Sequence, residues 1–377
     1  MPYRPIPLAL CGLAAFGLAA CDAADDPAPA PDSATGVFDA TLFADAGQLI
    51  TVSNQPDAND NDRAVRFRNP DALAPAAAFF REKNYDVLSF QQAKAEEGLV
   101  TGFGFASSTS YFGTFDAPGV GRVASFSRQG APAGQFDGLS APKGFDIFRY
   151  PGDDTIGDLL VADFGTGVVE VFFAEGLGGG PIATLNSSAG GSVWDVEIDS
   201  EQELAFVART NGFISVYVIG DVDPIDEFQV MSAGGATAVN NHGVIFDSES
   251  NTLIVSDVGL ASSADDGALH VLDYDPGVGS GGAPVMARAT YAGPNTMLGN
   301  PVDIEGSGAD VFVAEKANGG GRMLRFIDAL NATGTLDVAP DVMTAAVKNP
   351  ESVAKPGEPN DAPDEVRIAK GRRWVTK

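Results

Sequence analysis

The sequence predicts an all-β protein built as a single β-propeller, and three observations carry that expectation. A strand–turn–strand unit, Asp158-Leu-Leu-Val-Ala-Asp-Phe-Gly-Thr-Gly-Val-Val-Glu-Val-Phe-Phe173, recurs in loose spelling along most of the chain. Glycine (45) and proline (24) are abundant among the 377 residues, as many short strands and turns require. No segment sustains helical periodicity over many turns.

Aligned on the second strand of the unit, the segments are 63–67, 121–126, 168–172, 213–217, 268–272 and 322–326. Their spacing of about 45 to 60 residues suits propeller blades and is too long for leucine-rich or helical solenoid repeats. Upstream of most lies a partner strand: 49–53, 159–162, 204–208, 253–256 and 311–314. Residues 99–127 are less regular and can be paired in more than one register. Before each clear pair stands a third element: 141–147, 192–198, 241–246 and 300–305. A fifth such element, Asn349-Pro-Glu-Ser-Val-Ala354, has no full blade after it. A ring must close to remove its sheet edges, so this C-terminal segment is expected to supply the inner strand that the N-terminal pair lacks. This gives six blades, with seven as the alternative. Residues 70–97 read as an insertion on the rim, holding either a short helix or a decorated blade edge.

The N-terminus reads as an address. Residues 1–20 carry Arg4, an apolar stretch from residue 6 onward, and small residues before Cys21. The stretch is too short and too glycine-broken to span a bilayer and has the layout of a secretory signal. Leu18-Ala-Ala-Cys21 resembles the lipobox of bacterial lipoproteins. That resemblance implies cleavage before Cys21, its acylation, and a lipid anchor in the cell envelope facing the periplasm or the exterior. The domain plan is thus a signal peptide at 1–20, a flexible Pro/Ala/Asp-rich linker at 21–36 and a propeller domain at 37–377. Cys11 leaves with the signal, so neither a disulfide nor a cysteine metal site is expected.

A formal charge of -28 disfavours nucleic acid as a partner, and disfavours docking on anionic lipid by charge alone. It keeps the chain soluble, and a monomer is expected.

Units such as Asn300-Pro-Val-Asp-Ile-Glu305 and Leu159-Leu-Val-Ala-Asp163 resemble NHL-repeat propellers. The stretch from Asn241-His-Gly-Val-Ile-Phe246 to Leu253-Ile-Val-Ser-Asp257 is similar to one blade of the regucalcin and gluconolactonase group. The latter resemblance implies a divalent cation, Ca2+ or Mg2+, held in the central channel by oxygen ligands and able to polarise an ester carbonyl. Carried onto this chain, the ligand candidates are Asp195, Asp303, Glu351 and either Asn241 or His242, because Asn-His-Gly stands where Asn-Gly is expected. Asp163, Asp257 and Glu315 end their strands just before a turn and are read as caps of turn amides. Asp57-Ala-Asn-Asp-Asn-Asp62 starts like an EF-hand loop but has Asp62 where glycine and Arg68 where glutamate is required, so it reads as a surface loop. With only His242 and His270 in the chain, three-histidine zinc sites are excluded. No complete catalytic set emerges. The expected function is therefore a membrane-tethered binding module for a protein or glycan partner, with a metal-dependent lactonase-like hydrolase as the alternative.

Overall fold

Every repeated apolar run of the sequence becomes a strand. The computed structural model describes residues 157–354 apart from 174–176, 262, 346 and 348. It also describes 132–149, Leu73 and the strand segments 49–53, 63–67, 99–106, 109–117 and 120–127. The signal segment, Cys21, the linker, the 57–62 loop and the 70–97 insertion (Leu73 excepted) lie outside the described residues. Those residues contain strands and short 3-10 turns and no α-helix.

The strands form six sheets. β1 (Leu49–Ser53) pairs with β2 (Arg63–Phe67) and, on its other edge, with the last strand, β25 (Pro350–Ala354). β3 (Leu99–Ala106), β4 (Thr109–Ala117), β5 (Val120–Ser127) and β6 (Pro132–Leu139) form an antiparallel meander. Four meanders follow in chain order. The first is β7 (Pro142–Arg149), β8 (Gly157–Asp163), β9 (Val168–Phe173) and β10 (Ala183–Leu185). The second is β11 (Val193–Asp199), β12 (Leu204–Arg209), β13 (Phe213–Val218) and β14 (Asp226–Met231). The third is β15 (Asn241–Asp247), β16 (Thr252–Asp257), β17 (Ala268–Asp273) and β19 (Ala289–Ala292), and within it lies a short β18 (Val285–Met286). The fourth is β20 (Pro301–Ser307), β21 (Asp310–Glu315), β22 (Arg322–Phe326) and β24 (Val342–Thr344), enclosing β23 (Gly334–Leu336).

These four consecutive sheets, from β7 to β24, are arranged as the blades of a β-propeller. Four is fewer than the six or seven blades expected. The physical reason is that the clear inner-strand signature starts only at Pro142. Earlier strands such as β3, Leu-Val-Thr-Gly-Phe-Gly-Phe-Ala, lack the continuous apolar run of the later blades. C-terminal closure onto the first strand pair is present, through the β1–β25 ladder.

The core lies between blades. Every residue of β8, β12 and β16 is buried, because each middle strand is covered on both faces by its neighbours. Leu160, Val169 and Val171 of one blade pack with Val196, Ala205 and Tyr217 of the next. Phe206, Phe228, Phe246 and Tyr274 do the same across the following gap. Full burial of such side chains contributes about 1.5–3 kcal/mol each.

Candidate functional site: the inner strands

The inner strands β7, β11, β15 and β20 pack side by side in succession, and β25 lies against β20. Each carries the same local defect. Ladder register shifts near the start of the strand, between Pro142 and Phe145, Val193 and Asp195, Asn241 and Val244, and Pro301 and Asp303. The β1–β25 ladder slips likewise, leaving Glu351 unpaired between Pro350 and Ser352. Bulges re-aim side chains, and this one places Lys143, Trp194, His242, Val302 and Glu351 at equivalent positions.

Four of those five meet. The rings of Trp194 and His242 stack with centroids 3.5 Å apart and planes within 10°. The Lys143 ammonium lies 4.6 Å from the indole centroid, a cation–π contact. Phe164 packs edge-on against Trp194 at 5.4 Å, and the indole Nε1–H donates to the Val302 carbonyl at 3.1 Å. Trp194 thereby reaches past β15 to β20 and closes over the inner strands. Leu73, Phe312, Met323, Val347 and Val353 complete the apolar cluster around it. Burial and the nearby positive charge of Lys143 hold the His242 imidazole well below its usual pKa, so it stays neutral. Its Nδ1 has no hydrogen-bond partner. Glu351, the fifth, pairs with the Lys316 ammonium.

One residue deeper, the same alignment places Asp195, Gly243, Asp303 and Ser352 at equivalent positions. Asp195 and Asp303 do not converge on a vacant centre. Asp195 Oδ2 accepts the backbone N–H of Val244 on the next inner strand at 3.1 Å, and Asp303 Oδ2 accepts that of Val353 at 2.8 Å. Asp146, two positions further along β7, accepts the N–H of Ile198 at 2.8 Å. In the remaining gap the acid is replaced by Gly243, and the hydroxyl of Ser256 takes over. It accepts the Gly243 N–H at 2.8 Å and donates to the Pro301 carbonyl on the next inner strand at 2.8 Å. The inner edge of a blade has no strand beside it, so its buried amides need side-chain acceptors. Four successive gaps are therefore bridged by three carboxylates and one hydroxyl.

Crowding carboxylates in a buried ring has an electrostatic cost. Burial, reinforced by the charge of Asp303, raises Asp195 well above the ordinary carboxylate range. Asp303 is pushed up to about 7 by burial. Glu197 is raised by burial and by Asp146 and Glu305. The shifts favour the protonated acid, which dilutes negative charge where it is most crowded.

The proposed ligand set does not fit a divalent cation. Asp195 and Asp303 each commit an oxygen to an amide, Glu351 is engaged by Lys316, and His242 is stacked beneath an indole near an ammonium. Asn241 donates from Nδ2 to the Phe213 carbonyl at 3.3 Å, and its buried Oδ1 has no hydrogen-bond partner. Neither Asn241 nor His242 occupies the position aligned with Asp195, which belongs to Gly243. Among the described residues, no three His, Cys, Asp or Glu side chains are grouped to hold a metal.

The acids at the strand ends act as caps, and reach further than the turn. Asp163 accepts the N–H groups of Ser140 and Ala141, Asp257 those of Val239 and Asn240, and Glu315 those of Gly299 and Asn300. Each thus fastens the loop that enters its own inner strand. In the second meander the equivalent residue is Arg209, which is 2% exposed. Its guanidinium donates to Ser215 Oγ at 2.7 Å and, over 3.4 and 3.5 Å, faces the carbonyls of Gly190 and Gly191. Those glycines have φ of 67° and 75°, which turns carbonyls rather than amides inward. His270 is a packed residue, 3% exposed, with Nδ1 at 3.2 Å from Thr290 Oγ1 and Nε2 at 3.6 Å from Asp257.

No family model matches the chain, and no curated protein matches it. Among solved structures the chain is similar to the computationally designed Ika8 protein at 13% identity and a TM-score of 0.39, over 62% of this chain and 60% of that one. It is also similar to a chain of a nidogen/laminin complex at 12% identity and a TM-score of 0.48, over 81% of this chain and 96% of that one.

Proposed function

We propose that this protein is a lipid-tethered, extracytoplasmic propeller that works as a binding module for a protein or glycan partner. The observation that carries this reading is the use of the inner-strand acids. Asp146, Asp195 and Asp303 accept backbone amides across blade gaps, and Trp194 with His242 covers them. A lactonase-like centre needs those oxygens free for a cation and a substrate, so the hydrolase alternative loses its support.

Two finer parts belong to the same proposal. The repeat is NHL-like, supported by the Asn-Pro-Val-Asp-Ile-Glu and Leu-Leu-Val-Ala-Asp spellings. The tether is acylated Cys21, supported by the Leu18-Ala-Ala-Cys21 box at the end of an export signal. Fractionation of cells expressing wild type and Cys21→Ser tests the tether: the wild type is expected with membranes and the variant in the soluble fraction. Turnover of a panel of simple lactones with added Ca2+ or Mg2+ would sink the binding-module reading.

A further inference from the structure

The outer edges of the blades are treated unequally. In the second meander the outer strand β14 is extended by β18, paired in parallel as Val230 with Val285 and Met231 with Met286. In the third, β19 is extended by β23, also in parallel, as Ala289 with Gly334, Thr290 with Thr335 and Tyr291 with Leu336. In both cases the added strand comes from the following blade, from the connection between its third and outer strands. Residues 274–288 and 327–341 are long enough to reach back and do this. On β6, the corresponding connection supplies the 3-10 turn Leu177–Gly179.

Among the described residues β10 and β24 carry no such added strand, and β10 is the one whose neighbouring connection is described. The connection that should cover it, residues 219–225, is short and reaches only Asn186, whose N–H donates to the Val222 carbonyl at 2.8 Å and whose Nδ2 donates to the Asp223 carboxylate at 2.9 Å. Among the described residues no strand pairs with the outer edge of β10. The registers make the comparison exact in residue terms. Ala183 lies opposite Val171 and Leu185 opposite Val169, as Ala289 lies opposite Val271 and Tyr291 opposite Leu269. Ala183, Thr184 and Leu185 therefore stand where Ala289, Thr290 and Tyr291 accept β23. Asn186 N–H points outward to the Val222 carbonyl, and Gly334 N–H donating to the Arg288 carbonyl fixes Thr290 as the residue that faces β23. Strand alternation thus turns the N–H and carbonyl of Thr184 outward while those of Ala183 and Leu185 face β9. Beside this edge lies a groove of about 440 Å³ lined by Pro181, Ile182, Thr184, Asn186, Val222 and Asp223. Phe173 and Ile225, each 50% exposed, are apolar side chains left in solvent in the same pair of blades.

We propose that β10 is a docking edge for an extended peptide segment of a partner protein, added as a parallel strand in the way β23 is added to β19. Main-chain bonds to the N–H and carbonyl of Thr184 give the segment its hold, and small or apolar side chains fit between Ile182 and Val222. The exposed carboxylate of Asp223 and the chain's charge of -28 select a basic segment over an acidic one. This rests on the binding-module reading and names its partner as peptide rather than glycan.

The test uses the full chain and a pool of short synthetic peptides that alternate lysine with valine, threonine or leucine. Calorimetry gives affinity, and amide exchange reads Thr184. The expected result is binding that slows exchange at this amide. Asp223→Lys, on the exposed loop, and Thr184→Pro, which removes the outward donor, should each weaken it about tenfold or more. Equal affinity in both variants, or no binding by any peptide, would overturn the proposal. Concentration-dependent protection of the Thr184 amide without peptide would instead assign the edge to a second copy. Binding that protects other amides and leaves Thr184 unchanged would overturn the β10 assignment while leaving the binding-module reading standing. A glycan that binds while every peptide fails would do the same.

Discussion

The indole N–H of Trp194 donates to the carbonyl of Val302 at 3.1 Å, joining two inner strands that are not neighbours, with β15 between them. A bulge at the same position of each strand makes this reach available. Trp194→Ala is expected to destabilise the protein by about 3–5 kcal/mol, the usual cost of deleting a buried large aromatic. Trp194→Phe keeps a ring over His242, loses only the hydrogen bond, and should cost about 1–2 kcal/mol. Equilibrium denaturation separates the two; equal losses would mean that stacking on His242 contributes little.

Asp303 sets a pH dependence of unusual sign. Its folded pKa is about 7 against an ordinary 3.8, so between those values the folded state holds a proton that the unfolded chain has released. The stability this contributes is fully present below the unfolded value and is lost as pH rises through about 7. Asp226, Glu227 and Asp257, all lowered by their hydrogen bonds against the opposing effect of burial, act in the opposite sense at low pH. Asp303→Asn keeps an oxygen for the Val353 amide without the charge. At pH 8 it should be more stable than wild type by on the order of 2 kcal/mol, and the gain should vanish by about pH 4. Thermal melts across that range check it.

Ser256 occupies the place where other blades have Ala162, Ala208 and Ala314, so Ser256→Ala looks harmless from the repeat. It should instead cost about 1–3 kcal/mol, because the buried Gly243 N–H loses its acceptor. Unfolding in urea measures it, with Ala208→Gly as a packing control.

Arg209 stands where its repeat mates carry Asp163, Asp257 and Glu315. Restoring the acid should not help, because Gly190 and Gly191 present carbonyls to this position. Arg209→Asp is expected to be more destabilising than Arg209→Met, which should itself cost about 2–4 kcal/mol. A more stable Arg209→Asp would mean that the loop can turn its amides inward.

Much of the architecture was legible in the sequence. The middle strands are continuous apolar runs because both faces are covered, and the third strands follow a turn marked by an acid and a glycine. Outer strands were not legible: β10, β19 and β24 are short and written in ordinary residues, with β10 and β24 partly exposed, and β18 and β23 form only because a neighbouring edge is available. At the inner strands the residue types were visible but their partners were not. Asp195 and Asp303 read as ligands because sequence shows oxygen donors and hides the unpaired amides of the next blade. The bulge that aligns Glu351 with Trp194, rather than with Asp195, leaves no sequence mark beyond the Asn-Pro and Asn-His spellings before it.

Calcium titration by calorimetry, on the wild type and on Asp195→Asn and Asp303→Asn, bears most directly on whether the inner-strand acids are inter-blade ties. Ties predict no stoichiometric calcium binding in any of the three proteins and no rise in melting temperature on adding the ion. One calcium bound per wild-type chain and lost in both variants would contradict that assignment and return these carboxylates to a metal centre.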